Sequence, residues 1–336
     1  MCNFRLVISV ENKSKYRQLC TIEKSIPIFS RDWWLDAVCG EENWDIILVE
    51  KGDSIVASLP YMNRKIYGFK TAGMPILTQK LGPWIKYPNG QKYSRKLEYE
   101  KKIFQELIKK IPPDIALYSQ NFDYSISNWL PFYWKGFQQT SRYTYVIDDL
   151  ENFDAIKENL SHAKRQNLKK AERSGLSVLF DLSASQFYQH HVKTLASQNV
   201  YNKRIAYSFE TFKRIYDACY KHEAGRTIYA KDEHGHIHAA LFVIWDENSA
   251  YDLISTIDGQ YRKYGAATLL IWEIMKYLSD KTRKFDFEGS MIEGVENSFR
   301  GFGAKQKMYF QISKIYDRKL GILMKCKDIV NILRGH

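Results

Sequence analysis

An internal repeat sets the architecture of this 336-residue chain. Asp36-Ala37-Val38-Cys39 lies in a helical pattern, SRDWWLDAV, and Asp217-Ala218-Cys219-Tyr220 lies in another, ETFKRIYDAC, 181 residues further on. Downstream of each comes an apolar run, Ile46–Val49 and Thr227–Ala230, at the same offset. A polar turn follows each, EKGDS and KDEHGH, and then a second run, Ile55–Leu59 and Ile237–Leu241, at offset 182 because the second turn is one residue longer. No single match weighs much. The ordered series of helix, strand, turn and strand at a nearly constant offset predicts two copies of one α/β unit.

The second copy is the easier to extend. Thr227–Lys231, Ile237–Trp245 and Ala250–Ile257 predict an antiparallel meander joined by polar turns. Leu270, Ile271, Ile274 and Leu278 form the apolar stripe of a helix. Lys284–Glu288 predicts a short strand ended by Gly289, and Met308–Ile315 a last strand. A helix between strands requires a crossover, so each sheet is expected to be mixed but mostly antiparallel, with flanking helices. The first copy offers strands near 46–50, 54–62 and 66–72, a helix over Leu97–Ile111 and a strand at Ile115–Ser119. Between the copies, Asp154–Arg173 predicts one connecting helix, with Arg165, Lys169 and Arg173 as a basic stripe and Gly175 just past its end. The expected division is 1–152, 153–320 and a C-terminal tail, 321–336.

Composition narrows the function classes. The apolar share of 45% excludes bulk disorder, and the longest apolar run, Ala239–Trp245, falls far short of the ~20 residues of a membrane span. The N-terminus has no signal-peptide pattern, so a cytoplasmic location is expected. The net charge of +12 is spread over both halves, with 21 basic and 16 acidic residues before position 151 and 29 and 22 after it. Such an excess suits an anionic partner: a phosphate-bearing donor, a nucleotide sugar, tRNA or an acidic membrane surface. The five cysteines form no CxxC and no zinc spacing, and they are expected to be reduced thiols.

The chemical motif lies where the third strand of the second copy meets its helix. It runs Ile257-Asp258-Gly259-Gln260-Tyr261-Arg262-Lys263-Tyr264-Gly265-Ala266-Ala267. Arg-x-x-Gly-x-Ala at a strand-to-helix junction suits a pyrophosphate. Small residues admit a close ligand, and the first N–H groups of the helix and its dipole favour negative charge. The corresponding stretch of the first copy, LGPWIKYPNGQKYSRK, lacks the pattern, so one donor site is expected.

The meander, this loop and the strand after the helix resemble the GNAT acyltransferase core. The whole chain is similar to the Fem branch of that superfamily, which holds peptidoglycan-bridge aminoacyltransferases and CelD-like acetyltransferase relatives. Two further stretches carry the resemblance. Lys164-Arg165-Gln166-Asn167-Leu168-Lys169-Lys170-Ala171 through Gly175 is similar to the family's basic Arg-Asn-x-x-Lys-Ala…Gly segment. Phe299-Arg300-Gly301-Phe302-Gly303-Ala304 resembles its Phe-Lys-x-x-Phe-Gly motif after the Asp-Phe-x-Gly strand, here Asp286-Phe287-Glu288-Gly289. The family's Lys is Arg300 here, which keeps the charge but cannot act as a proton shuttle. No sustained heptad run marks the long helical arm of some members.

The resemblance implies an N-acyltransferase that moves an acyl or aminoacyl group from acyl-CoA (acetyl-CoA) or aminoacyl-tRNA to a primary amine on a cell-envelope precursor or amino sugar. No metal is expected. Ile257, Asp258, Arg262, Lys263, Tyr264, Gly265, Ala266 and Ala267 are expected at the donor. Lys164, Arg165 and Lys169 are expected at an anionic small-molecule or lipid-linked acceptor, and Arg300 with Phe299 at the chemistry. Asp286 and Glu288 alternate along a strand and are candidates to take the amine's proton, and Tyr309 is a candidate acid. His234, His236 and His238 straddle a turn and are expected to be exposed there. A second reading keeps the fold without the chemistry: an RNA- or membrane-surface-binding protein, favoured by the basic stripe and the net charge.

Overall fold

Runs of Val, Ile, Leu and aromatic residues bounded by glycines and polar turns become the strands. In a computed structural model the backbone is described for residues 2–197, 205–289, 291 and 293–333, and side chains within those limits from residue 9 to 326. The chain divides into two units. Unit 1 is Met1–Arg142 with Tyr309–His336, and unit 2 is Tyr143–Met308. The expected boundary at 152/153 therefore falls inside unit 2.

Unit 1 begins with α1 (Cys2–Ile22) and α2 (Asp32–Cys39). Then come β1 (Trp44–Lys51), β2 (Ser54–Ile66), β3 (Phe69–Gly73) and the short β4 (Trp84–Ile85). They are followed by α3 (Tyr93–Lys109), β5 (Leu117–Asn121), α4 (Leu130–Tyr133) and β6 (Gln138–Ile147), which runs on into unit 2. β1, β2 and β3 form an antiparallel meander, and β5 lies parallel to β3. Ile103, Phe104 and Leu107 of α3 bury one face against Val49, Leu59, Tyr118 and Phe122. At ~1.5–3 kcal/mol for each fully buried large apolar side chain, this face is the main reason the helix holds its place.

Unit 2 continues with α5 (Phe153–Asn159), α6 (His162–Arg173), β7 (Ser177–Phe180), α7 (Ala184–Ser197) and α8 (Phe209–Lys221). β8 (Gly225–Lys231), β9 (Ile237–Trp245), β10 (Ser249–Ile257), α9 (Ala266–Leu278), β11 (Lys284–Asp286) and α10 (Glu293–Arg300) follow. β12 (Lys305–Ile315) starts here and ends in unit 1, where α11 (Arg318–Leu333) closes the described chain. β8, β9 and β10 form a second antiparallel meander, and β11 lies parallel to β10. The order α2-β1-β2-β3-α3-β5 in unit 1 and α8-β8-β9-β10-α9-β11 in unit 2 is one topology used twice, as the repeat predicts.

Each unit gains one more strand from a distant part of the chain. Gln311–Ile315 of β12 pairs antiparallel with β5 in unit 1, and Val146–Ile147 of β6 pairs with β11 in unit 2. The apolar run Ala239–Trp245 is the buried core of β9, and its alternate residues Ala239, Leu241 and Val243 pack with Leu270, Ile274 and Leu278 of α9.

Two local expectations change. The helix expected over 154–173 is two helices, because Leu160 is extended and the Ser161 hydroxyl caps α6 by accepting from the Lys164 N–H at 3.3 Å. The strand expected over 284–288 stops at Asp286, because Glu288 (φ +57°) and Gly289 (φ +58°) are both left-handed.

Candidate active site

The site forms where β10 loses one neighbour. On one side β10 pairs with β9 from Ala250–Trp245 to Ile257–Ala239, with a bulge between Asp252 and Ile254. On the other it pairs with β11 only over Ser249–Tyr251. Beyond that point the chain after β11 turns to β6, where the Phe287 N–H donates to the Tyr145 carbonyl at 2.9 Å. Among the described residues, the β10 edge from Asp252 to Ile257 has no strand on that side. A bulge bends its strand and re-aims side chains, which suits a strand that must leave its partner.

The turn expected to hold the donor follows. Asp258 caps a 3-10 turn over Gly259–Tyr264 by accepting from the Gln260 N–H at 3.0 Å. Its own N–H donates to the His238 carbonyl at 3.0 Å, and Lys193 Nζ stands 3.4 Å from its carboxylate. Gly265 then turns the chain into α9 with φ +80°. No side chain caps α9, so its first N–H groups are available to an anion. Arg262 and Lys263 are exposed beside them, with Lys263 Nζ 5.1 Å from the centre of the Tyr264 ring. Ile257, Ala266 and Ala267 add an apolar wall that also packs on the core.

Gly265 meets a different demand from the one its motif suggests. A Cβ there would lie 2.3 Å from the Asn167 carbonyl oxygen of α6. The glycine is required by its left-handed backbone and by the close approach of α6, not only by room for a phosphate.

The histidine turn has an internal role. Asp232 accepts from the backbone N–H groups of His234 and His236, and both the His236 and His238 rings reach its carboxylate, at 3.0 and 3.2 Å. Burial opposes the charge, but the His236 N–H and the two rings hold this carboxyl well below its ordinary range. His238, expected to be exposed, is buried and stacks on Tyr261 at 4.1 Å, bracing the donor turn. His190 does the same from α7, bonding the Ile237 carbonyl at 3.1 Å and the Thr256 hydroxyl at 3.1 Å. No group of three or more potential metal ligands occurs among the described residues.

Asp252 is the functional candidate that sequence reasoning missed. It sits at the bulge, where β10 and β11 part, and it is buried. The Ser255 hydroxyl reaches both of its carboxylate oxygens, at 2.9 and 2.7 Å. Burial pushes its carboxyl up to about 6, and the Ser255 hydrogen bond offsets only part of that rise. A carboxylate with this value can accept a proton near neutral pH. The signal available in the sequence was a lone acid in an otherwise apolar strand, AYDLIST.

The remaining candidates fall into different environments. Arg300 is the last residue of α10, not part of a glycine-flanked loop, and its side chain is 65% exposed. It donates to Glu296 Oε1 at 3.1 Å and to Asn297 Oδ1. Phe299 stacks on Phe287 at 5.0 Å and belongs to the core of unit 2. Asp286 is fully buried and accepts from the Thr144 hydroxyl and, at 2.9 Å, from the Glu288 N–H. The left-handed Glu288 breaks the alternation that would have aligned the two carboxylates. Tyr309 is buried in unit 1.

Of the basic residues in α6, Arg165 and Lys169 are exposed, whereas Lys164 is buried. Lys164 Nζ donates to the Ser298 hydroxyl at 2.8 Å and lies 4.2 Å from the centre of the Phe302 ring. Burial lowers its amine to about 8. Lys164 therefore ties α6 to α10 and to Phe302 just beyond it instead of extending the basic stripe.

A cavity of about 460 Å³ opens at the opposite end of unit 2, near the start of β8 and the end of α9. Its central charges engage each other: Arg226 clamps Asp181 at 2.7 and 2.6 Å and donates to the Tyr277 hydroxyl at 2.9 Å. The β10–α9 turn, with its uncapped helix and open strand edge, is the better chemical site.

Residues 160–296 match the family model described as an acetyltransferase (GNAT) domain. No curated protein matches the chain. Among solved structures, FemX is similar with a TM-score of 0.67 at 11% identity, over 93% of this chain and 98% of that one. The C-terminal domain assigned to a lysylphosphatidylglycerol synthetase of Agrobacterium fabrum has a TM-score of 0.54 at 13% identity, over 90% and 92%. L-PGS from Bacillus licheniformis has a TM-score of 0.51 at 9% identity, over 85% and 88%. The β10–α9 turn and the parting of β10 from β11 lie inside the stretch that matches the GNAT-type acetyltransferase domain, and the chain as a whole, with its twice-used topology, shares the fold of FemX.

Proposed function

We propose that the protein is an N-acyltransferase that takes its acyl group from acyl-CoA and delivers it to a primary amine on a cell-envelope precursor or amino sugar. The observation that carries this reading is the run from Asp252 along the open edge of β10 to the β10–α9 turn: a buried base at one end, and an uncapped helix N-terminus with two exposed cations at the other. The α9 N–H groups with Arg262 and Lys263 hold the donor's pyrophosphate. The open edge of β10 accepts the extended arm of the donor. The donor supplies an activated acyl group as a thioester.

The chain's own chemistry is modest. The amine must reach the acyl carbon at near-attack distance and must lose a proton. Asp252 Oδ accepts that proton, with the Ser255 hydroxyl holding the carboxylate in place. Arg300, exposed at the end of α10, binds an acceptor phosphate, for which a planar guanidinium gives two parallel hydrogen bonds. FemX and the lysylphosphatidylglycerol-type relatives support an envelope amine or lipid-borne acceptor.

The test is donor binding followed by turnover. Calorimetry with acetyl-CoA and with CoA should give saturable binding, weakened when Arg262 and Lys263 are both replaced by Gln. A panel of amino sugars and muropeptide amines should then release CoA thiol. Absence of CoA binding, together with turnover on aminoacyl-tRNA, would overturn the choice of donor.

A further inference from the structure

One helical face of unit 1 is turned the wrong way for a core. Leu130, Tyr133 and Trp134 recur at i, i+3 and i+4 around α4, the spacing of an apolar stripe that normally packs inward. Here it faces water: the three side chains are 48%, 58% and 53% exposed. The inward anchor is Phe132, fully buried and in ring contact with Phe104, Phe122 and Phe137 at 5.3, 5.1 and 5.3 Å. The outward face is therefore held rigidly in place.

Among the described residues, the charges against the exposed rings are lysines, while the neighbouring Glu98 and Glu100 of α3 are paired with Lys102 and with Asn128 and Tyr87. Lys101 Nζ lies 5.2 Å from the centre of the Trp134 ring, and Lys135 is exposed next in the chain. Lys314 reaches the same segment by donating to the Lys135 carbonyl at 2.5 Å. The stretch Ser125–Gly136 contains no acidic residue. Trp and Tyr have an apolar body and a polar edge, which places them at the headgroup level of a bilayer, and adjacent lysines attract anionic headgroups. A protein partner of ordinary composition explains the exposed rings but not the three lysines gathered beside them.

We infer that α4 and its lysines form a docking surface for an anionic phospholipid bilayer, on which the protein lies without spanning it. Among the described residues no helix is long and apolar enough to cross a membrane, so contact of this kind is interfacial. The inference is independent of which acyl donor or acceptor the protein uses.

The experiment is co-sedimentation of the full chain with vesicles of phosphatidylcholine alone and of equal parts phosphatidylcholine and phosphatidylglycerol. Binding is expected to the mixed vesicles only, and to weaken with salt. Replacing Lys101 and Lys135 by Gln should lower it about 25-fold at low salt, since each lysine near an anionic surface contributes about fivefold. Tyr133→Ser with Trp134→Ala should lower it about tenfold or more. Hydrogen exchange of the unaltered protein on mixed vesicles should protect residues 129–137, a readout that does not depend on how any variant folds. The inference is overturned if the full chain ignores the mixed vesicles, or if both variants bind them unchanged. It is also overturned if the aromatic pair instead holds two copies together, seen as a dimer that the Tyr133→Ser/Trp134→Ala variant dissociates without any vesicle binding.

Discussion

Asp252→Asn separates catalysis from stability in opposite directions. The side chain is buried at the β10 bulge, and its carboxyl stands at about 6 where an unfolded chain has ~3.9. Between those values the native state binds more protons than the unfolded state, so stability falls as pH rises from ~4 to ~6. The full penalty, roughly 3 kcal/mol for about two pH units, is present above pH ~6. Asn has the same size and keeps a hydrogen bond to Ser255 but carries no charge. The variant is therefore expected to be up to ~3 kcal/mol more stable at pH 7.5, with no fall between pH 4 and 6. Its turnover should drop by ~10²–10⁴, the contribution of a positioned general base. The acidic limb of the wild-type pH–rate profile, near pH 6, should vanish with it. Urea melts at pH 4.5 and 7.5 and thiol release across the pH range read both effects. If turnover and the acidic limb survive in a folded Asp252→Asn protein, Asp252 is not the base. If the variant is less stable at pH 7.5, the carboxylate is a net stabilising partner of Ser255 and the burial argument fails.

Four further substitutions test the site. Gly265→Ala should cost ~2–4 kcal/mol in a urea melt, because its Cβ would stand 2.3 Å from the Asn167 carbonyl and its φ is +80°; Gly259→Ala, with nothing within 4 Å, should be near neutral. Arg300→Ala should change stability by no more than ~0.5 kcal/mol and raise the acceptor KM with kcat nearly unchanged, since Arg300 is exposed and is assigned to acceptor binding; a drop in kcat alone would assign it to the oxyanion instead. Lys164→Met should remove an alkaline gain in stability. With the amine lowered to about 8 against ~10.4 unfolded, the native state binds fewer protons in that window, so the wild type gains up to ~3 kcal/mol as pH rises through it, and the variant should be flat in thermal melts over the same range.

What was legible in the sequence follows from how local each constraint is. β9 and α9 were visible because their apolar periodicity reports burial directly, and the repeat because ordered hydrophobic runs survive when identities do not. The turn between β10 and α9 was visible because an Arg-x-x-Gly-x-Ala spacing is local. The reason for its glycine was not, because the Asn167 carbonyl belongs to a helix almost a hundred residues away. Lys164 looked like one more cation on a basic helix, since the break at Leu160–Ser161 and the contacts with Ser298 and Phe302 are made by the fold. Ser161 was a cap signal that a continuous helix obscured. Asp252 is the sharpest case. A bulge is a mismatch in register between two strands, so neither strand carries it alone. What the strand does carry is a charged residue where its pattern calls for an apolar one. Such a violation has a cost, here the burial of a carboxylate beside a single hydroxyl. A cost of that kind is retained where a function repays it, and this is why the residue that disobeys the pattern is the one we propose as the base.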